Sequence, residues 1–90
     1  MEFKKSRDRI WMEDHTGAEI AFVSFPEQGE NTVEITSTVV DSSLRGQGVA
    51  AALLESLAEE LRATGRKAVP ACSYAVKWFS EHPEQQELLK

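Results

Sequence analysis

The amino-acid sequence predicts an α+β fold with its elements in the order β-β-β-α-β-α. Three observations carry this. The first half alternates segments rich in Ile, Val, Thr and aromatic residues with short polar turns, the pattern of an antiparallel meander. The second half changes to a helical period. A short apolar segment follows the helix, and a strand reached through a helical crossover returns parallel to the strand before it.

The elements follow in order. Arg9 to Glu13 is apolar enough for a strand, and Asp14-His15-Thr16-Gly17 supplies turn chemistry, with Gly17 free to take positive φ. Glu19 to Phe25 is a second strand ended by Pro26, and Glu27 to Asn31 reads as another polar turn. Thr32 to Val40 is β-branched at seven of nine positions, the strongest strand signal in the chain. Ala50, Leu53, Leu54, Leu57, Ala58 and Leu61 then form one apolar helical stripe, with Glu55, Glu59, Glu60 and Arg62 off it. Gly65 stops this helix as a left-handed cap, with Arg62 and Arg66 near its negative end. Lys67 to Ala71 is the parallel strand; Pro70 cannot donate a ladder hydrogen bond, so the strand is an edge or splays from its neighbour. Ser73 to Ser80 is a short helix, and Pro83 opens a last helical turn through Leu89.

Ninety residues suffice for one domain, residues 1–90, with one small core. The longest apolar run, Val49 to Leu54, is six residues, against roughly 20 for a membrane span. Lys4, Lys5, Arg7 and Arg9 are not followed by an apolar stretch, so no signal peptide is expected. A lone cysteine makes no internal disulfide, which fits a reducing cytoplasm. The net charge of -5 is the wrong balance for a protein that neutralises nucleic-acid phosphates. It does not exclude a single phosphate-bearing small molecule, which backbone N–H groups bind without positive side chains.

The chemically informative segment is Val39-Val40-Asp41-Ser42-Ser43-Leu44-Arg45-Gly46-Gln47-Gly48-Val49-Ala50. A strand ends, a polar turn follows, and a loop with two glycines opens the amphipathic helix. The first turn of a helix carries unpaired N–H groups and the positive end of the macrodipole. Glycines remove the Cβ atoms that would hold a diphosphate away from those amides. Val49-Ala50 stands where a Walker loop needs Lys-Ser/Thr, and the dinucleotide fingerprint lacks its third glycine. A strand-to-helix turn that binds nothing remains open on the residues alone.

Arg45-x-x-Gly48-x-Ala50 resembles the coenzyme A loop of the GNAT N-acetyltransferases. Together with Gly65, Pro70-Ala71-Cys72-Ser73-Tyr74-Ala75, Trp78-Phe79 and His82-Pro83-Glu84, it resembles the compact YjdJ-type members over essentially the whole chain. The resemblance implies a compact GNAT-like fold in which the central strand and the following parallel strand splay apart. It implies that acetyl-CoA lies in the gap, its pantetheine amides pairing with backbone at Val39 and Val40. Its pyrophosphate would rest on Arg45, Gly46, Gln47, Gly48, Val49 and Ala50, and its thioester would point toward the far ends of the splayed strands.

Cys72 ends the last strand just before a helix, where unpaired N–H groups favour thiolate, and in the GNAT-like layout it faces the thioester gap. It is a candidate acyl nucleophile or a small buried apolar residue. His82 is a candidate base next to Pro83, whereas His15 sits in a solvated turn. Glu34 is either a base for an amine or part of a solvated strand face. Larger GNAT enzymes place an asparagine after the last parallel strand and a tyrosine seven residues on; Cys72 and Phe79 stand there. Tyr74 either replaces that hydroxyl or packs in the core. Compact relatives carry a tyrosine after His-Pro-Glu, where this chain has Gln85. Trp11, Trp78, Phe22 and Phe25 read as core or groove-lining residues. These features predict an N-acetyltransferase acting on an amine. The rivals are a non-catalytic acyl-CoA-binding module and an interaction domain with a vestigial loop.

Overall fold

The structure, a computed structural model, describes residues 2–90. A four-stranded sheet is built from β1 (Lys4–Lys5), β2 (Arg9–Glu13), β3 (Glu19–Ser24) and β6 (Ser37–Val40), in that order and antiparallel throughout. A second sheet has the order β4 (Glu27–Gly29), β5 (Thr32–Ile35), β7 (Lys67–Pro70). In it, β4 is antiparallel and β7 parallel to β5. The helices are α1 (Val49–Thr64) and α2 (Ser73–Ser80), with 3-10 segments at Ser42–Leu44 and Pro83–Leu88. Among the described residues no helix is long and apolar enough to cross a membrane.

The α+β class and the parallel return through a helix hold. The β-rich half differs from the expected meander. Thr32 to Val40 is not one strand: it breaks at Thr36, whose amide turns to the Ser24 carbonyl at 3.0 Å. The first half pairs with β4 and β7, the second with β3 alone. β-branched residues favour extended backbone but do not choose its partner, so a run of Val, Ile and Thr conceals the change of sheet. The expected polar turn at Glu27–Asn31 contains β4, and only Glu30-Asn31 turns, with Asn31 at φ 55°. Lys4–Lys5 adds a short exposed edge strand.

The alternation of β3 sends Ala21 and Val23 inward, followed by Phe25. The buried face of α1 is Val49, Leu53, Leu54, Leu57, Ala58 and Leu61. Val49 thus takes the buried first position expected of Ala50, which is only half-buried. α1 lies over β2, β3 and β6 and closes this core with Ile10, Val33, Ile35, Ala75, Trp78 and Phe79. Gly65 ends α1 at φ 70°, donating to Leu61 O. Arg66 does more than complement the helix end. It is 2% exposed, donating from Nη1 to Arg7 O and from Nε to Thr64 Oγ1, each at 2.9 Å.

β7 is an edge of the named strands, as Pro70 requires, with a single bridge from Ala68 to Leu89 on its far side. Its pairing with β5 stops at Ile35↔Pro70, where the amides of Ala71 and Cys72 both donate to Ile35 O at 3.0 Å. Beyond that point β6 follows β3 while the other chain turns into α2. The two sheets part there.

Candidate functional site

A cleft of about 430 Å³ lies between the end of β6, the loop after it and the first turns of α1 and α2. It is bounded by β6 at Val40, by the loop at Leu44, Arg45, Gly46 and Gly48, by Val49, Ala50 and Ala51 of α1, and by Tyr74 of α2. The loop is shaped locally. Asp41 caps the 3-10 turn, its carboxylate accepting from Ser43 N at 2.9 Å. That hydrogen bond holds the Asp41 carboxyl below its ordinary range. Leu44 N closes on Asp41 O, Arg45 N on Ser42 O and Gln47 N on Leu44 O. Gly46 at φ 80° and Gly48 at φ 72° then reverse the chain into α1.

Gly48 is the N-cap of α1 and has no side chain to cap with, and no acidic residue lies in the first turn. The first amide to find an intrahelical partner is Ala52, on Gly48 O. Among the described residues, no acceptor meets the amides of Gly46, Gly48, Val49, Ala50 or Ala51. Five free donors therefore border one cleft, at the positive end of a 16-residue helix. A Cβ at Gly46 or Gly48 would meet nothing within 4 Å. The glycines serve positive φ here, and the space beside them is open to a ligand.

The opposite border is a strand edge. Asp41 N donates to Ile20 O, and in an antiparallel pair such contacts alternate. The register Val39↔Phe22 and Val40↔Ala21 therefore turns the Val39 backbone toward β3 and the polar groups of Thr38 and Val40 toward the gap. This differs from the expectation that both valines offer backbone to a ligand: Thr38 replaces Val39, because successive residues face opposite edges. Val39 as a residue is 48% exposed. Gln47 is exposed and does not line the cleft.

Cys72 is half-buried at the junction where the strands part and is the N-cap of α2. Its Sγ accepts from Ala75 N at 3.4 Å and lies 3.4 Å from Thr38 Oγ1. Cys72 thus caps the start of α2, with a hydroxyl from across the gap beside its sulfur. His82 stands at the other end of α2. Its Nδ1–H donates to Trp78 O at 2.7 Å and its ring stacks on Trp78 at 4.2 Å. It does not line the cleft. His15 is exposed in the Asp14–Gly17 turn. Phe79 is buried against Trp78 in the core.

Tyr74, read from sequence as either a catalytic hydroxyl or core, forms the wall opposite the loop. Burial pushes its hydroxyl above the ordinary tyrosine range, and the carboxylates of Glu81 and Glu55 push the same way. It stays protonated at neutral pH and can donate. Its position two residues into the segment after the parallel strand was the available signal; Leu44 and Ala51 had none beyond adjacency to the loop. Among the described residues no group of His, Cys, Asp and Glu is arranged to hold a metal ion.

Residues 9–88 match the model of the GCN5-related N-acetyltransferases. The chain belongs to that family. A GCN5-like putative N-acetyltransferase from Staphylococcus aureus, solved by NMR, superposes with a TM-score of 0.79 at 26% identity. That match covers 99% of this chain and 87% of the other. Rv2747 of Mycobacterium tuberculosis, in complex with CoA, gives 0.67 at 18% identity over 86% of this chain. The GNAT family N-acetyltransferase YhbS of Escherichia coli, also in complex with CoA, gives 0.63 at 24% identity over 77%. These last two likenesses speak for the fold, and the matches cover only 48% and 42% of those longer chains. No curated protein matches the chain. In this GCN5-related N-acetyltransferase the strand-loop-helix cleft occupies the junction of β6 and α1.

Proposed function

We propose that this domain binds acetyl-CoA in the cleft and transfers its acetyl group to an amine, as a compact YjdJ-type member occupying residues 1–90 and working in the cytoplasm. The observation that carries this is the meeting of five unpaired amides with an open strand edge in one cleft. A pyrophosphate suits the amides of Gly46, Gly48, Val49, Ala50 and Ala51 together with the exposed Arg45 side chain. A pantetheine arm suits the edge of β6, where Thr38 and Val40 offer backbone donors and acceptors as a partner strand would. The longer chains crystallised with CoA support the same ligand.

An arm running from the loop past Val40 toward Thr38 brings its thioester to Cys72. In this reading the Cys72 thiolate attacks the thioester carbonyl, the bond to the coenzyme sulfur breaks, and the coenzyme thiolate takes up the proton that Cys72 lost. An incoming amine then attacks the acetyl-cysteine, losing its proton as the Cys72 thiol re-forms. Tyr74 is the cleft hydroxyl available to protonate the departing coenzyme thiolate in direct transfer. The alternative, a module that holds acyl-CoA without efficient turnover, is favoured by the buried Phe79, whose ring has no proton to give. A titration with acetyl-CoA followed by NMR tests the site. The amides of Val40 and of residues 45–51 are expected to shift more than those of the β2–β3 hairpin; shifts confined to that hairpin would overturn the assignment.

A further inference from the structure

In the preceding reading the acetyl group meets its amine where β6 and the chain after β7 part, beside Thr38 and Cys72. We propose that the amine enters this gap from the side opposite the coenzyme, between Val39 and Val76, and that the acceptor is a primary monoamine carried on an apolar chain. The inference rests on the acetyl-CoA reading and adds the class of the acceptor.

The floor of the gap is the contact of Thr38 Oγ1 with Cys72 Sγ at 3.4 Å. Each wall has two sides. On β6, Thr38 and Val40 pair with Val23 and Ala21, both buried, and directly opposed residues share a face of the sheet. Val40 accordingly lines the coenzyme cleft, and Val39 points from the other face. On α2, Tyr74 lines the cleft. Val76 follows it by two residues, about 200° around the helix, and donates its amide to Cys72 O at 3.1 Å. The walls thus turn Val40 and Tyr74 to the coenzyme, and Val39 and Val76 away from it.

Val39 and Val76, 48% and 50% exposed, are the exposed large hydrophobic residues of the described chain. Single apolar side chains scatter over any surface, but these two flank one contact: Val39 adjoins Thr38, and Val76 stands one turn beyond Cys72. The register Val39↔Phe22↔Trp11 continues the apolar surface behind Val39, with two rings that do not belong to the core. Two valines and half-buried rings fall well short of the roughly 800 Å² per partner of a stable protein interface, so the surface suits the chain of a small molecule.

The charges at the mouth suit one ammonium group. Val33 and Ile35 join the same core as Ala21 and Val23, so Glu34 between them points to the Val39 side. It is half-buried and adjoins Ile35, whose carbonyl holds the Cys72 amide at 3.0 Å. The flanks are cationic. Arg9 lies over the Phe22 ring at 4.0 Å, tied to Glu19, and Lys77 is exposed beside Val76. A second ammonium farther along the acceptor meets these cations, whereas an apolar chain meets Val39, Val76 and Phe22.

The test uses the intact chain. Acetyl-CoA affinity is measured by calorimetry, turnover with ethylamine, butylamine, hexylamine, 2-phenylethylamine and spermidine, and valine methyl resonances of the CoA-saturated protein during titration with hexylamine. From ethylamine to hexylamine kcat/KM should rise about two- to fourfold per methylene, with spermidine at least about tenfold below hexylamine. The methyls of Val39 and Val76 should move together. Val39→Thr with Val76→Thr keeps both shapes at exposed positions, thermal unfolding verifies the fold, and the hexylamine-to-ethylamine ratio should fall about three- to tenfold. If acetyl-CoA binds but no amine turns over, the methyl titration decides. Unmoved methyls, no dependence on chain length, or a preference for spermidine would overturn this inference and leave the acetyl-CoA reading standing. A folded protein that does not bind acetyl-CoA would overturn both.

Discussion

Gly48 offers the sharpest test of the cleft, because fold and ligand make separable demands on it. At φ 72° and ψ 20° it caps α1 in the left-handed region, where an L-residue costs about 1–2 kcal/mol. No atom lies within 4 Å of a Cβ placed there, so backbone strain is the whole structural cost of a side chain. For a domain of this size each kcal/mol lowers Tm by about 4–8 °C, and Gly48→Ala is expected to melt roughly 5–15 °C below wild type while remaining folded. Gly48→Glu adds a negative charge beside five amides that would otherwise face a diphosphate. At about 5 Å and an effective dielectric between 20 and 80, each like-charge pair costs about 1–3 kcal/mol. Two phosphate charges bring the loss to about 2–6 kcal/mol, or roughly 30- to 25,000-fold in affinity. Calorimetric titration with acetyl-CoA, paired with thermal unfolding of both variants, reads the two effects apart. Gly48→Ala should lose stability but bind within about tenfold of wild type, whereas Gly48→Glu should lose both. A folded Gly48→Glu protein with wild-type affinity would refute the cradle.

Three further outcomes are expected. Incubation with acetyl-CoA should add one acetyl mass to the wild type and none to Cys72→Ala, with amine acetylation falling by orders of magnitude in the mutant; normal turnover would end the nucleophile role, and tight binding with no acylation of either protein would favour the binding module. Arg66→Met should destabilise the chain by about 1–3 kcal/mol in urea, since the buried guanidinium's bonds to Arg7 O and Thr64 Oγ1 are lost; a change under about 0.5 kcal/mol would show that water replaces the guanidinium. The Asp41 carboxyl is lowered from an ordinary value of 3.8 by its bond from Ser43 N–H. Its contribution is therefore fully present above that value and is lost as pH falls through the lower folded value. The Ser43 amide resonance should move in that acid range in the wild type and stay put in Asp41→Asn, which keeps an acceptor but does not titrate; identical profiles would remove Asp41 from the turn.

Features whose causes are local were legible in the chain itself. The stripe from Leu53 to Leu61 made α1 visible because helical period and burial coincide there. The glycines at 17 and 65 announced positive φ, and both have it. Pro70 announced an edge because it lacks a donor. The strand-loop-helix junction could likewise be located, since free amides at a helix start follow from backbone geometry alone.

Partner choice was not legible. The break at Thr36 sends two halves of one β-branched run into different sheets, and nothing in Val, Ile or Thr says which neighbour will supply the hydrogen bonds. The same choice decides that Thr38 and Val40, not Val39, face the gap, because a strand's open edge exists only relative to the strand that fills the other. Tyr74 is the parallel case for side chains: helical spacing allows core or cleft, and only the docking of α2 against α1 brings the ring to the cleft wall. Periodicity, turns and caps act within a few residues and are written in the sequence. The cleft is made where two sheets part and two helices meet, and those contacts join residues such as Thr38 and Cys72 that only the tertiary structure brings together.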